Sequence, residues 1–300
     1  MVSIEPHQDL YLDQLQQLVN CHLAGVVPGW RLPTPVIAGS LRPRPDDPDF
    51  DLWVAERRTL CAVEEDRLLG AAHVIRYTSG TAVGAGYRGT AELAWLLFWP
   101  EAESAAHALI EAARELVAGW GRMRLYACDT SLPVPVVSGV PESWPHVSAA
   151  LVRAGFEALA MHEQVLYGGR LPEPCPQAPP VPRLEVRAVM DEPGQRFLAE
   201  RDGQEIGFLE WSPDLSCGGS LPALAGWAEL CALRIREEWR GRGIGGWLVR
   251  RTVPFLRMVG VSRVVVALTA WQEEAGAGRF CKRLGWEPVV RLEQGWSAGA

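Results

Sequence analysis

The densest chemistry in the chain lies in one short run, Arg240-Gly241-Arg242-Gly243-Ile244-Gly245-Gly246. Glycines let the backbone turn tightly with successive N–H groups pointing the same way. The run opens a stretch with helical apolar spacing, Ile244, Trp247, Leu248, Phe255 and Val259. The first N–H groups of a helix have no internal partner, and the helix dipole favours negative charge there. Arg240 and Arg242 add fixed positive charge. These residues together describe a cradle for phosphate groups. No Gly-Lys-Ser/Thr follows, so it is not a Walker loop. Gly241, Gly243 and Gly246 meet the Gly-x-Gly-x-x-Gly spacing, but that reading needs an acid at the end of the next strand, and Val264–Leu268 runs into Thr269-Ala270 without one. The bland alternative is a Gly-rich turn with two solvated arginines.

Upstream lies an apolar run, Trp227 to Ile235, read as a strand, in which Glu229 is the one acid. Simple alternation puts Trp227, Glu229, Cys231, Leu233 and Ile235 on one face, although a bulge would change that parity. A lone carboxylate in an apolar strand is either a tuned proton acceptor or the partner of an arginine on a neighbouring strand. All five tyrosines (11, 77, 87, 126, 167) and all six histidines (7, 22, 73, 107, 146, 162) fall within residues 1–167.

The elements that must position these groups follow from periodicity. Residues 10–23 carry a helical stripe, and 24–52, rich in Pro, Gly and Asp, read as a loop. Asp46 to Asp51 lacks the Gly and closing Glu of a calcium loop and reads as a solvated turn. Residues 59–77 read as two strands around Glu65-Asp66-Arg67. Glu92–Phe98 reads as a strand, Ala102–Ala118 as a helix, Arg124–Cys128 as a strand, Val147–Arg153 as a helix and Gln164–Tyr167 as a strand. Prolines crowd 168–183, which reads as a linker. Then come Leu184–Val189, a hairpin around Asp202-Gly203, the strand and cradle, Val264–Leu268 and a late helix.

That order occurs twice. Setting Glu92 against Glu229 aligns the two halves, and Leu151-Val152-Arg153-Ala154-Gly155-Phe156 aligns with Cys281-Lys282-Arg283-Leu284-Gly285-Trp286. Where the second copy has its cradle, the first has Glu103-Ser104-Ala105-Ala106-His107-Ala108. A carboxylate there opposes phosphate, so the first copy is expected not to bind it.

Arg240, Gly243 and Gly245 resemble the Arg/Gln-x-x-Gly-x-Gly/Ala signature of the GNAT N-acetyltransferase superfamily. The similarity continues in Ala277-x-x-Phe280-Cys281-Lys282-Arg283-Leu284-Gly285-Trp286, which looks like that family's late helix and Gly-aromatic turn. The resemblance implies a mixed α/β fold of two tandem GNAT-like domains, each a mixed, mostly antiparallel sheet flanked by helices. The first, 1–167, is degenerate, and the second, 184–300, binds acetyl-CoA as co-substrate. It implies that Leu233, Arg234 and Ile235 run beside the pantetheine arm. Arg240, Gly241, Arg242, Gly243, Ile244, Gly245 and Gly246 would hold the pyrophosphate, with Glu274 and Phe280 completing the site. Family members often place the proton-accepting Glu on the strand before the cradle, here Glu229. The usual acid, a Tyr in the late helix, is Cys281 here, and the family's Asn is Glu274; both departures bear on catalysis more than on cofactor binding. Only 190–196 separates the first strand of the second copy from its hairpin, where GNAT folds place helices that shape the acceptor site; the first domain is expected to supply that wall.

Composition bounds the rest. The chain has 300 residues, a net charge of −7, 48% hydrophobic and 22% charged residues, which describe a globular chain of two domains. Residues 1–170 hold 13 Arg against 20 acids, while the remainder holds 15 Arg and Lys282 against 16 acids. The acidic half argues against nucleic acid as a partner. No apolar run is long enough for a bilayer, and Met1–Leu15 shows no leader pattern. Seven scattered cysteines without Cys-x-x-Cys indicate neither a metal site nor a disulfide framework, and the expected compartment is the cytoplasm. The expected activity is acetyl transfer from acetyl-CoA to an amine of a small molecule or peptide. The alternatives are an acyl-CoA-binding regulatory protein without catalysis and a scaffold with a vestigial cradle. Sequence does not fix the oligomeric state.

Overall fold

The computed structural model describes residues 1–43, 53–121, 123–128, 132–159, 163–174, 178–190 and 195–298. The Asp46–Asp51 turn lies outside the described residues. The chain divides into two compact units, Met1–Glu163 with Val290–Ala300, and Gln164–Val289.

The N-terminal segment forms β1 (Ser3–Pro6), α1 (Leu12–Ala24), α2 (Thr34–Leu41), β2 (Val54–Glu64), β3 (Arg67–Tyr77), β4 (Ala91–Phe98), α3 (Glu103–Trp120), β5 (Leu125–Ala127), β6 (Val140–Pro141), α4 (Pro145–Arg153) and β7 (Phe156–Ala158). There follow β8 (Glu163–Arg170), β9 (Leu184–Met190), β10 (Gln195–Arg201), β11 (Gln204–Ser212), β12 (Trp227–Ile235), α5 (Ile244–Met258), β13 (Arg263–Thr269), α6 (Ala270–Glu274), α7 (Ala277–Arg283), β14 (Glu287–Glu293) and β15 (Trp296–Ala298). Helix α1 buries Leu15, Leu18, Val19, His22 and Leu23 on one stripe. Helix α2 lies where the sequence reads as a loop. Its Pro35 sits in the first turn, where a missing N–H costs no helical bond, so proline content alone misleads there.

The first sheet runs β1-β2-β3-β4-β5-β15-β7. The second unit's strands run β14-β8-β13-β12-β11-β10-β9. Each sheet thus takes an interior strand from a distant part of the sequence. β8 pairs antiparallel with all of β13, from Arg263↔Arg170 to Thr269↔Gln164. β15 pairs with both β5 and β7 through Trp296 and Ser297. The sequence suggests the boundaries 1–167, 168–183 and 184–300, whereas the compact units divide after Glu163 and after Val289. Gly168 to Arg170 finish β8 instead of opening a linker, and 290–300 returns to the first unit. Ladder partners are set by which edge lacks one, a non-local condition that segment order does not reveal.

The repeat is visible in backbone detail. Glu65 and Asp66 take positive φ in the β2–β3 turn, and Asp202 and Gly203 do so in the β10–β11 turn, as a two-residue hairpin requires. Register shifts after Ala62 and after Ala199 match, as do the bulges at Ala94 and Cys231. The two copies differ between their first strands. β1 and β2 are separated by α1 and α2, whereas only 191–194 separate β9 from β10. The second unit's core gathers Trp211, Leu230, Leu248, Val249, Val264 and Trp286 between its sheet and α5 and α7.

Candidate active site

β12 and β13 pair in parallel only from Trp227↔Arg263 to Glu229↔Val265, and then diverge. Beyond that vertex the side of β12 facing β13 has no strand partner. A cleft of about 1360 Å³ opens there, lined by Leu230 to Ile235 on one side and Val266 to Leu268 on the other. Its end is closed by the loop and first turn of α5, and its far wall by Phe280, Cys281 and Arg283 of α7 and the following Leu284. Unpaired strand edges expose N–H and C=O groups that a ligand with amide groups can satisfy.

The loop delivers the geometry its glycines permit. Gly241 and Gly243 have φ of +75° and +78°, a left-handed region that residues with a Cβ rarely adopt. Gly243 caps α5, and the first helical bond runs from Trp247 N–H to Gly243 C=O at 3.0 Å. Among the described residues, no backbone carbonyl accepts the N–H groups of 241–246. A Cβ on Gly245 would lie 3.5 Å from both Leu233 and Phe280, so bare backbone faces the cleft floor. These donors fit the phosphates of a CoA-type cofactor. Arg240, Arg234, Arg250 and Arg283 also line the cleft. Arg240 is pinned by its Nε donating to Ile235 C=O at 3.0 Å.

Leu233, Arg234, Ile235, Arg240, Gly241, Gly243, Ile244, Gly245, Gly246, Phe280 and Cys281 all line this cleft, and Arg242, Glu229 and Glu274 do not. Arg242 donates to Glu238 C=O and lies over the Trp239 ring, 4.8 Å from its centroid, which holds it outside. Glu274 ends α6 and is exposed. Glu229 sits at the vertex, where the strands still pair. Simple alternation does not hold along β12. The bulge at Cys231 flips the parity, so Leu233 and Ile235 join Ala228 and Leu230 on the core side, opposite Glu229.

Half-buried Glu229 has no hydrogen bond or ion pair to its carboxylate among the described residues, and burial raises its pKa. Those properties suit a proton acceptor. Cys281 is 2% exposed, and burial, reinforced by the Glu273 charge, pushes its thiol up to about 12. A thiol so held gives up its proton less readily than an ordinary one, whose reference value is about 8.5. It is a poor acid for a departing thiolate and behaves as a small buried apolar residue.

Two contributors escaped sequence reasoning. The proline-rich segment borders the cleft through Glu173, Pro174, Ala178 and Pro180, and Pro180 faces Gly243. Tyr167, assigned from sequence to the first domain, stands in the second unit on β8, where its hydroxyl donates to Glu273 Oε1 at 2.7 Å. The unit holding the cleft therefore does contain a tyrosine. Strand periodicity found β8, but nothing local assigned it to β13.

In the first unit the corresponding helix, α3, begins at Glu103, whose carboxylate pairs with Arg153 at 2.9 Å. Arg153 aligns with Arg283, which lines the cleft of the second unit. In the first copy, then, the first turn of the helix carries an acid, the charge its dipole favours, and no side chain caps it. No helix among the described residues is long and apolar enough to cross a membrane.

A sheet splayed after a short parallel pairing, present in two copies and joined in the second by a glycine-built helix N-terminus, is the fold of tandem GNAT proteins. Residues 164–286 match the acetyltransferase (GNAT) family model. The match starts at β8, where the second compact unit starts. Among solved structures, the whole chain is similar to a tandem GNAT protein from the clavulanic acid biosynthesis pathway, with a TM-score of 0.63 at 17% identity over 100% of this chain and 99% of that one. A GCN5-related N-acetyltransferase from Sphaerobacter thermophilus gives 0.62 at 12% identity, covering 98% and 94%. A GCN5-related glucosamine N-acetyltransferase region of a fungal multi-domain β-N-acetylglucosaminidase gives 0.62 at 14%, covering 99% of this chain and 38% of that one. No curated protein sequence matches significantly.

Proposed function

We propose that the chain is an N-acetyltransferase that takes acetyl-CoA in the cleft of the second unit and acetylates an amine of a small molecule or peptide. One observation carries this reading: the uncommitted N–H groups of 241–246 adjoin the unpaired edge of β12. Acetyl-CoA supplies the acetyl group as an activated thioester. The N–H groups at the start of α5 hold its pyrophosphate, and the β12 edge hydrogen-bonds its amide-bearing arm. The attacking amine must be neutral. Glu229, with its raised pKa, takes the amine proton directly or through water as the new C–N bond forms and the C–S bond breaks. In the first unit, Glu103 with Arg153 replaces the cofactor's phosphate, so that copy binds no CoA.

A thiol-release assay with acetyl-CoA against amines, amino sugars, aminoglycosides, amino acids and N-terminal peptides tests the reading. Release with at least one amine is expected. Calorimetry showing no CoA binding would remove it. A second reading, an acyl-CoA-binding protein without catalysis, is favoured by the elevated Cys281 thiol where a proton donor is expected. It predicts tight CoA binding and no thiol release with any amine.

A further inference from the structure

Tyr167 and Glu273 lie 106 residues apart in sequence and meet within the second unit. Tyr167 is 1% exposed and held in β8 opposite Val266, a residue of the cleft lining. Its phenol donates to Glu273 Oε1 at 2.7 Å. Glu273 is near the end of α6, and its carboxylate also rests on α7. A Cβ at Gly278 would overlap both carboxylate oxygens, so only glycine admits the acid there. Glu273 Oε2 is buried against this surface without a hydrogen-bond partner. One side chain thus joins β8, α6 and α7.

That join matters because the corner is weak by itself. α6 has 5 residues and α7 has 7, and Gly276 between them has φ of +100°. Helices this short do not persist without tertiary support. α7 carries Phe280 and Cys281 into the cleft, and Phe280 reaches within 3.5 Å of a Cβ position at Gly245 in the phosphate loop. A part-buried phenol–carboxylate bond is directional, suited to fixing that corner.

We propose that the Tyr167–Glu273 pair is a positioning element of the cleft, holding the α6–α7 corner so that Phe280 and Cys281 form the wall against which CoA binds. The affinity consequence rests on the cofactor assignment above; the placement of α7 does not. The pair takes no part in bond making. Its effect falls on cofactor affinity and on the shielding of Cys281.

The test uses the full-length chain with Tyr167→Phe, which keeps the ring and removes the donor, and Gly278→Ala, which displaces the carboxylate while leaving both partners in place. Two quantities are read well below each variant's melting temperature: the calorimetric Kd for CoA, and the rate of Cys281 alkylation by iodoacetamide without CoA, resolved by peptide mass spectrometry. Both variants should bind CoA roughly tenfold more weakly and alkylate Cys281 several times faster than wild type. Folded Tyr167→Phe protein with wild-type alkylation overturns the proposal, whatever its affinity. Faster alkylation with unchanged CoA affinity overturns the claim that the pair serves the cofactor. If wild-type protein binds no CoA, the function proposed above falls, and alkylation alone decides whether the pair fixes α7.

Discussion

Glu92 and Glu229 occupy the same point of the two sheets, each two residues before a bulge, at Ala94 and at Cys231. Their surroundings differ. Glu92 is 0% exposed and accepts a hydrogen bond from the Tyr77 hydroxyl at 2.5 Å. Glu229 is half-buried with an uncommitted carboxylate. One position has become structural, while the other retains the freedom a proton acceptor needs.

Glu229→Gln should bind CoA as wild type does and lose transfer rate by roughly 10²–10⁴. The acidic limb of the wild-type rate profile should lie above the ordinary carboxylate range and vanish in the variant. The stability sign is opposite to the activity sign. A carboxylate whose folded pKa is raised above 4.5 loses stability as pH rises through the folded value. Thermal melting should therefore show Glu229→Gln to be more stable than wild type at pH 7, with the difference disappearing below about pH 4. A variant less stable at pH 7 would assign Glu229 a structural partner.

CoA binding should depend on the loop of the second unit alone. Gly243→Asp places a side chain at φ +78° and a carboxylate beside phosphate, and calorimetry should show binding abolished. The matched change in the first unit must avoid Ala106, which is 1% exposed and would bury a charge. Ser104→Asp, on the exposed face of the first turn of α3, should leave affinity unchanged. Equal losses from both changes would place the cofactor elsewhere.

The exchanged strands make a folding prediction. A fragment of 184–300 lacks β8, so the whole β8–β13 ladder and the core positions of Val165 and Tyr167 are lost. It should be insoluble or lack cooperative melting. A fragment starting at 164 should recover cooperative melting by circular dichroism. Equal behaviour of the two would mean β8 is dispensable.

The first unit should be acid-sensitive. Burial pushes the pKa of His22 down to about 4, and its Nε2 lies 3.0 Å from His146 Nε2. For a base lowered on folding, stability is complete above the unfolded value of 6.5 and is lost as pH falls toward about 4. Urea midpoints should decline across that window, and His22→Gln should flatten the decline. An unchanged slope would mean that another group dominates.

What the sequence determined by itself is what short-range physics determines. The conformation of the glycine loop was legible because its requirements are contained in a few consecutive residues: glycines that accept positive φ, and a helix that begins with unpaired N–H groups. The hairpins, β12 and α5 were legible from alternation, turn residues and helical spacing. The parity of β12 was not, because a bulge is read only against the register of β11. The tertiary structure alone decided which strands complete each sheet. β8 and β15 have ordinary strand patterns, and their ladders are filled by whichever edge is open, however distant in sequence. For the same reason Tyr167 could not be placed near Glu273 from sequence, nor could the proline-rich segment be read as a border of the cleft rather than a spacer.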